Sequence, residues 1–275
     1  MSATTLGEVT AFGRYIKQWR RQRGLSQLEL AVRADVSQRH VSFIEMGRSK
    51  PRHDVVHKVT EALDVPLRDR TILMEAAGLA ASYPEVPLSD GAAAPFRNAI
   101  QLMLASHEPY PAYVINRWWE LIDANPAGRR IFPQTSDGPI NLVDAVLGPG
   151  PMRDMIENFS AVGWMLLRRM QREVADSGPD DRFQKLLKRA EAHMKDVPVG
   201  VGTPGSGFLI CPHLRIGDQV IKTVSMVARF GTAREVNLDE LRVELVFPRD
   251  EEAEAFFRHS AQAAPELTPS TTPSS

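Results

Sequence analysis

Two capping signals and two glycines between positions 24 and 47 constrain this chain more than anything else in it. Gly24 stops an amphipathic helix, and Ser26 with Glu29 three residues on has the spacing of a capping box opening a second one. Ser37 caps a third helix that Gly47 ends, since glycine takes the left-handed conformation without penalty. Only the Asp35-Val36 turn separates the second helix from the third, so the two must meet as a helix-turn-helix unit. Before them, Phe12, Ile16 and Trp19 fall at i, i+4 and i+7, one apolar stripe. The second helix buries Leu30, Ala31 and Ala34. A fourth helix after Pro51 is expected to bury Val55, Val56, Val59 and Leu63, and a fifth near 68–77 to bury Ile72, Leu73 and Ala76. Residues 8–80 are therefore predicted to be an all-α, five-helix domain.

The third helix divides into two faces. Val41 and Ile44, with Val36, point inward, while Gln38 pairs with Ser42 and Arg39 with Phe43 at i, i+4 on the other side. Gln can bond adenine bidentately, Arg can bond guanine, and an aromatic ring can lie on a thymine methyl, so this face has the chemistry a major groove requires. Ser26, Gln27 and the helix N-terminus can hold phosphates. A solvated helix face would also be polar; Phe43 beside Arg39 and the flanking Arg48, Lys50 and Arg52 tip the balance toward DNA. Charge agrees. Residues 1–80 carry 13 Lys and Arg against 9 Asp and Glu, a net of +4, and the other 195 carry 20 against 25, a net of −5. With an overall net of −1, a uniformly basic coat for nucleic acid or membrane is excluded.

The run L-S-Q-x-E-L-A-x-R-A-D-V-S from Leu25 to Ser37, followed by x-x-x-V-S-x-I-E-x-G-R over 38–48, resembles the lambda-repressor-type helix-turn-helix family, often called the Xre family, across residues 10–78. The resemblance implies that the start of the third helix enters the major groove. By position it puts Gln38, Arg39 and Phe43 at bases and Gln27, Ser37, His40 and Ser42 nearer the DNA backbone, with Arg48 flanking. Asp35 stands where the family usually has glycine. Aspartate tolerates the left-handed region better than most residues, so the turn is expected to survive.

Residues 81–95, containing SYPEVPLSDGAAAP, read as a linker, and 263–275, ending PELTPSTTPSS, as a disordered tail. Between them, 96–106 and 151–195 have helical periodicity, the latter through Phe159, Val162, Leu166 and Met170. Ala112–Arg117, Trp119–Asp123, Phe208–Arg215, Val220–Phe230 and Leu241–Phe247 read as strands. Asn125 and Pro126 open a helix as cap and first-turn residue, and Glu251–Phe257 closes the domain as another. This order predicts a multidomain chain whose second domain, 96–262, is an α+β sensor.

HEPYPAYV from His107, WELIDANPA from Trp119, Asn158-Phe159, FGT from Phe230 and DELRVELVFPRD from Asp239 to Asp250 are similar to the ligand-binding domain of MmyB-like transcription regulators. That resemblance, weaker between Phe132 and Asn158, implies a PAS-like architecture and a cavity for a lipidic ligand such as a long-chain fatty acid. Helices carrying Met152, Met155, Met165, Met170, Phe159 and Trp164 could enclose such a cavity, methionine being soft enough to line an adaptable one. A fatty carboxylate would need a donor, for which Arg117, Tyr110, Trp118 and Arg153 are candidates. The candidate ligand-binding set is Tyr110, Arg117, Trp118, Met155, Phe159 and Trp164. A filled hydrophobic core accounts for the same residues.

Other signals carry little. Gly200-x-Gly202-x-x-Gly205 matches a dinucleotide fingerprint but follows a helix and precedes a strand, the reverse of the required order. His53 and His57 lack a third metal ligand, and the single Cys211 reads as a small core residue suited to a reducing cytoplasm. No secretory leader, spanning helix, metal site, cofactor or catalytic residue is expected. The reading that results is a cytoplasmic, sequence-specific transcription regulator. It is expected to act as a homodimer on an inverted-repeat operator in double-stranded DNA, with an apolar effector altering DNA binding allosterically and no attachment to membrane. Two alternatives stay open: a C-terminal domain that only dimerises or binds protein, and a lipid- or acyl-acting enzyme anchored to DNA.

Overall fold

The computed structural model describes residues 10–80, 83, 86–132, 138–199, 211–230 and 235–263. They divide into two compact units, one holding the described residues up to Pro87 together with 177–179 and 235–239, the other holding the remainder.

The first unit opens with α1 (Ala11–Gln22), α2 (Gln27–Arg33), α3 (Gln38–Glu45), α4 (His53–Ala62) and α5 (Leu67–Ala76). Their ends are those the sequence dictates. Ser26 forms a reciprocal capping box with Glu29, Ser37 accepts the His40 N–H, and Gly24 and Gly47 take φ of 66° and 71°. Asp35, at φ 51°, occupies the left-handed turn position usually given to glycine. Phe12, Ile16, Leu30, Ile44, Leu63, Leu73 and Met74 form the core. One inward position differs from expectation. Ile72 is exposed, because Leu73 and Met74 fill the inward face of α5. The close crossing of α1 over α3 rests on Gly13, where a Cβ would lie 2.4 Å from the Ile44 carbonyl oxygen.

The second unit begins with a short 3-10 turn at Gly91–Ala93 and α6 (Ala94–Ser106), then β1 (Ala112–Ile115), β2 (Leu121–Ala124), α7 (Pro126–Ile131), α8 (Leu142–Leu147), α9 (Pro151–Met155), α10 (Phe159–Ala175), α11 (Asp181–Met194), β3 (His213–Ile216) and β4 (Gln219–Ala228). The chain then makes the short helix α12 (Val236–Asp239), which belongs to the first unit, before β5 (Arg242–Pro248) and α13 (Glu251–Gln262). The strands form one antiparallel sheet in the order β2-β1-β5-β4-β3. Helices α8, α10 and α11 pack with one face of it around Ile115, Leu147, Met170, Met194 and Ile221. Gly163 lets α10 and α11 approach, a Cβ there falling 2.8 Å from the Met194 sulfur.

Several expectations need correcting. The helical span 151–195 is three helices, broken after Met155 and again between Ala175 and Asp181. β1 stops at Ile115 and β2 starts at Leu121 because Trp119 turns the chain at φ 61°, with the Asn116 side chain accepting the N–H groups of Trp118 and Glu120. Helix α8 was not foreseen. The region expected to be linker already contains the 3-10 turn and the start of α6. Residues 208–210, the Gly200–Gly205 fingerprint and the tail beyond Ala263 lie outside the described residues.

Segments 177–179 and 235–239 are bound into the first unit by buried polar groups. Asp69, 4% exposed, accepts the Gly178 N–H at 3.0 Å, and Asn237 accepts from Arg68 Nη2 at 3.3 Å while donating to the Val86 carbonyl at 3.2 Å. Val236 and Leu238 of α12 are fully buried.

In the second unit Asn125 does more than cap α7. Its Oδ1 accepts the N–H groups of Gly128 and Ala112 at 2.8 and 2.9 Å, and its Nδ2 donates to the carbonyls of Tyr110 and Leu104 at 2.8 and 3.3 Å. Replacing it by alanine strands several buried backbone groups at once, each costing about 1–3 kcal/mol. Asn125→Ala should lower the stability of the second unit by about 4 kcal/mol or more in urea titrations, whereas loss of an ordinary exposed cap costs about 1 kcal/mol.

Candidate nucleic-acid interface and effector cavity

The outer face of α3 assembles most of the predicted DNA-contacting residues. Ser37, Gln38, Arg39 and Arg48 are exposed, and His40, Ser42 and Phe43 half-exposed. The Arg39 guanidinium lies 5.0 Å over the Phe43 ring, so the cation and the ring are presented together. His40 Nε2 is enclosed and has no hydrogen-bond partner among the described residues. Gln27, half-exposed at the start of α2, donates its amide to Glu45 Oε2 at 2.8 Å.

Glu45 is the hub that the sequence reading missed. It is 4% exposed and accepts Arg20 Nε at 2.6 Å, Arg20 Nη2 at 3.0 Å and the Gln27 amide, so one carboxylate ties α1, α2 and α3 together. Arg20 also donates to the Leu25 carbonyl at 2.7 Å. Burial alone would raise the Glu45 carboxyl, but the Arg20 and Gln27 hydrogen bonds and the Arg20 charge outweigh it and hold it below the usual carboxylate range. The exposed Lys58–Asp35 pair at 2.9 Å contributes little to stability.

The second unit contains a cavity of ≈ 220 Å³ between the sheet and α10. Strand register explains its floor. Tyr113 of β1 and Val227 of β4 both stand opposite Glu244 of β5, and Ser225 stands opposite Val246. Side chains alternate along a strand, so Tyr113 and Ile115, Glu244 and Val246, and Thr223, Ser225 and Val227 all face the cavity. Val162, Met165, Leu166 and Arg169 of α10 form the opposite wall, at spacings of three and four residues, and Phe132, Leu142, Val146 and Met152 also contribute.

One end is polar. Arg169 pairs with Glu244 at 2.8 Å and with Glu173 at 3.0 Å, lies 4.8 Å over the Trp119 ring, and keeps a buried Nη2 without a partner among the described residues. Glu173 also accepts the Trp119 indole N–H at 3.1 Å and lies 2.9 Å from Arg242 Nη1. Burial would lower the Arg169 guanidinium, yet Glu244 and Glu173 raise it above its ordinary value. Burial pushes Arg242 down to about 10, leaving it charged at neutral pH. Burial, then the Glu244 charge, raises the Tyr113 phenol, which stays protonated.

None of the six candidate ligand residues is among those lining this cavity. Tyr110 packs edge-on against Phe257. Arg117 is buried in ion pairs with Glu240 at 2.7 Å and Asp180 at 3.2 Å, and the Trp118 indole donates to the same Asp180. Phe159 lies under the Arg153 guanidinium, the Trp164 indole donates to the Val197 carbonyl at 3.2 Å, and Met155 is half-buried at the end of α9. Sequence neighbours of these residues line the cavity instead: Trp119, Met152, Ile156, Val162 and Met165. The apolar stripe Phe159–Val162–Leu166–Met170 passes over Arg169, which shares the cavity-facing side of α10 with Val162 and Leu166. The alternation Arg242–Glu244–Val246 likewise puts charge on an inward face.

Among the described residues, no cluster of His, Cys, Asp and Glu could hold a metal ion, and no helix is long and apolar enough to cross a membrane. The family model described as the MmyB-like transcription regulator ligand binding domain matches residues 96–259, and a helix-turn-helix model matches residues 16–69. No curated protein matches the chain.

Because the Glu45 carboxyl is held below its ordinary value of 4.5, its contribution to stability is present above that pH and lost as pH falls through the depressed value. Glu45→Gln should lower the stability of the first unit at neutral pH by about 2–3 kcal/mol, the worth of hydrogen bonds to a charged group. It should also flatten the acid limb of a pH-dependent unfolding series. An unchanged acid limb would assign the acid sensitivity to other carboxylates.

Proposed function

The chain belongs to the MmyB-like transcription regulators, with a helix-turn-helix ahead of the ligand-binding domain, and from that premise we propose that its second unit senses an apolar small molecule, a long-chain acyl compound of the fatty-acid kind. The observation that carries the sensing role is the ≈ 220 Å³ cavity, apolar over most of its lining and polar at one end. A domain that only dimerises or binds protein would fill that space with side chains. An acyl-acting enzyme would set a nucleophile beside a base there, whereas Arg169 and Glu244 are paired with each other and the Cys211 sulfur accepts the Ser225 N–H at 3.4 Å. The strand order β2-β1-β5-β4-β3, with helices between β2 and β3, supports the PAS-like reading.

For DNA, Gln38, Arg39 and Phe43 read bases, while Ser37, His40, Ser42 and Arg48 hold the backbone. Gln27 acts through Glu45 by fixing α2 against α3. Three base contacts of ~1–3 kcal/mol each give one head little discrimination, so a homodimer on an inverted repeat is the working form. The effector acts by binding the DNA-competent and incompetent states unequally. Chain path supplies a route. α10, β4 and β5 line the cavity, and the chain leaving or entering them runs through 177–179 and 235–239, which belong to the helix-turn-helix unit.

Native mass spectrometry of the full-length protein, followed by solvent extraction, tests the sensing role. A stoichiometric acyl species, or one that binds on addition and changes operator affinity, is the expected result. Protein that neither carries nor accepts such a compound would favour the interaction domain. Arg39→Ala should weaken binding to an operator selected from random sequence by about 1–3 kcal/mol and relax preference at one base pair. Equal weakening on unrelated DNA would assign Arg39 to phosphate.

A further inference from the structure

The polar end of the cavity is electrically complete before any ligand arrives. Arg169 is matched by Glu244 at 2.8 Å, and Arg242 by Glu173 at 2.9 Å, two guanidinium groups against two carboxylates. Arg229, 3.9 Å from Glu173, is more than half exposed, so solvent screens it. An anionic head placed at Arg169 would lie beside the Glu244 carboxylate, and the repulsion would cancel much of the attraction. Removing the anion from water would then go uncompensated. A cationic head meets the converse problem, since Glu244 is already neutralised by Arg169. What the site still offers is hydrogen bonding in both directions. Among the described residues the buried Nη2 of Arg169 lacks an acceptor; the Tyr113 hydroxyl can donate or accept, and Glu244 has acceptor capacity beyond its ion pair with Arg169. Tyr113 and Glu244 face each other across the β1–β5 ladder, so these groups form one cluster.

We propose that the effector's polar head binds uncharged, as an amide, a hydroxyl or a protonated acid, against Tyr113, Arg169 and Glu244. This inference rests on the effector-cavity reading above and specifies the head group that the cavity accepts. A free carboxylate is then the poorer ligand at neutral pH, and the chain of the molecule occupies the apolar remainder beside Leu166 and Val246.

The test compares dodecanamide, dodecanol and sodium dodecanoate by calorimetric titration into the full-length protein at neutral pH. The amide and the alcohol should bind at least about tenfold more tightly than the carboxylate, a difference of about 1.4 kcal/mol. Glu244→Gln, which removes the competing negative charge while keeping an acceptor, should improve dodecanoate relative to dodecanamide by about tenfold. If that variant does not fold, Tyr113→Phe serves, and should cost the amide and the alcohol several-fold each. Dodecanoate binding as tightly as the amide, or an order of affinity indifferent to both substitutions, overturns the head-group assignment and leaves the effector cavity standing. Failure of all three compounds to bind overturns both.

Discussion

Four charged side chains between the sheet and α10 set the terms for the whole second unit. Glu173 and Arg169 come from one helix, Arg242 and Glu244 from one strand, and each must find its opposite because an unpaired buried charge costs several kcal/mol. Their pairing distances fix the separation of α10 from β5 at that end. Trp119 is locked in beside them, stacked under Arg169 and hydrogen-bonded to Glu173, with its backbone in the left-handed region. A well-packed apolar interface of the same size would be as stable or more so. What the ion pairs supply is a fixed geometry. Arg169 and Glu244 line the cavity themselves, so the network that holds helix to sheet is also its polar wall.

The first unit was legible in the sequence because local rules decide it. Caps, turns and apolar stripes act over three or four residues, and Ser26, Asp35, Ser37 and Gly47 all do what their chemistry predicts. What stayed hidden there is non-local. Nothing near Gly13 says that Ile44 will cross within contact of it, and nothing near Arg20 marks Glu45, 25 positions on, as its partner. Gln27 shows how the two levels interfere. Its place at the start of α2 suits a phosphate contact, and only the fold reveals that Glu45 claims its amide.

The second unit shows the same division more sharply. Its strands and most of its helices could be read from alternation and period, with the register errors that follow where Trp119 turns the chain. Tyr110, Arg117 and Trp118, read as donors to a carboxylate, and the apolar Met155, Phe159 and Trp164 lie close in sequence to residues that line the cavity. The offset has a physical source. Trp118 and Trp119 are equally bulky, yet a left-handed residue between two strands sends one indole to Asp180 and the other to Glu173 at the cavity. Which of two adjacent aromatics faces inward is a matter of register, and register depends on pairings such as Tyr113 with Glu244 that join distant parts of the chain.

The discontinuous make-up of the first unit gives the arrangement its mechanical interest. Here Asp69 and Asn237 secure backbone that has come directly from α10, and that goes directly into β5, within the helix-turn-helix unit. A Cβ at Gly178 would fall 2.0 Å from Asp69 Oδ1, so the turn carrying it closes against α5 with no space for a side chain. Such a contact is made or broken rather than stretched, since close-packed groups yield in discrete steps. Within that unit the buried Asp69 carboxylate is positioned to accept the Gly178 N–H, and leaving that N–H without an acceptor would cost about 1–3 kcal/mol.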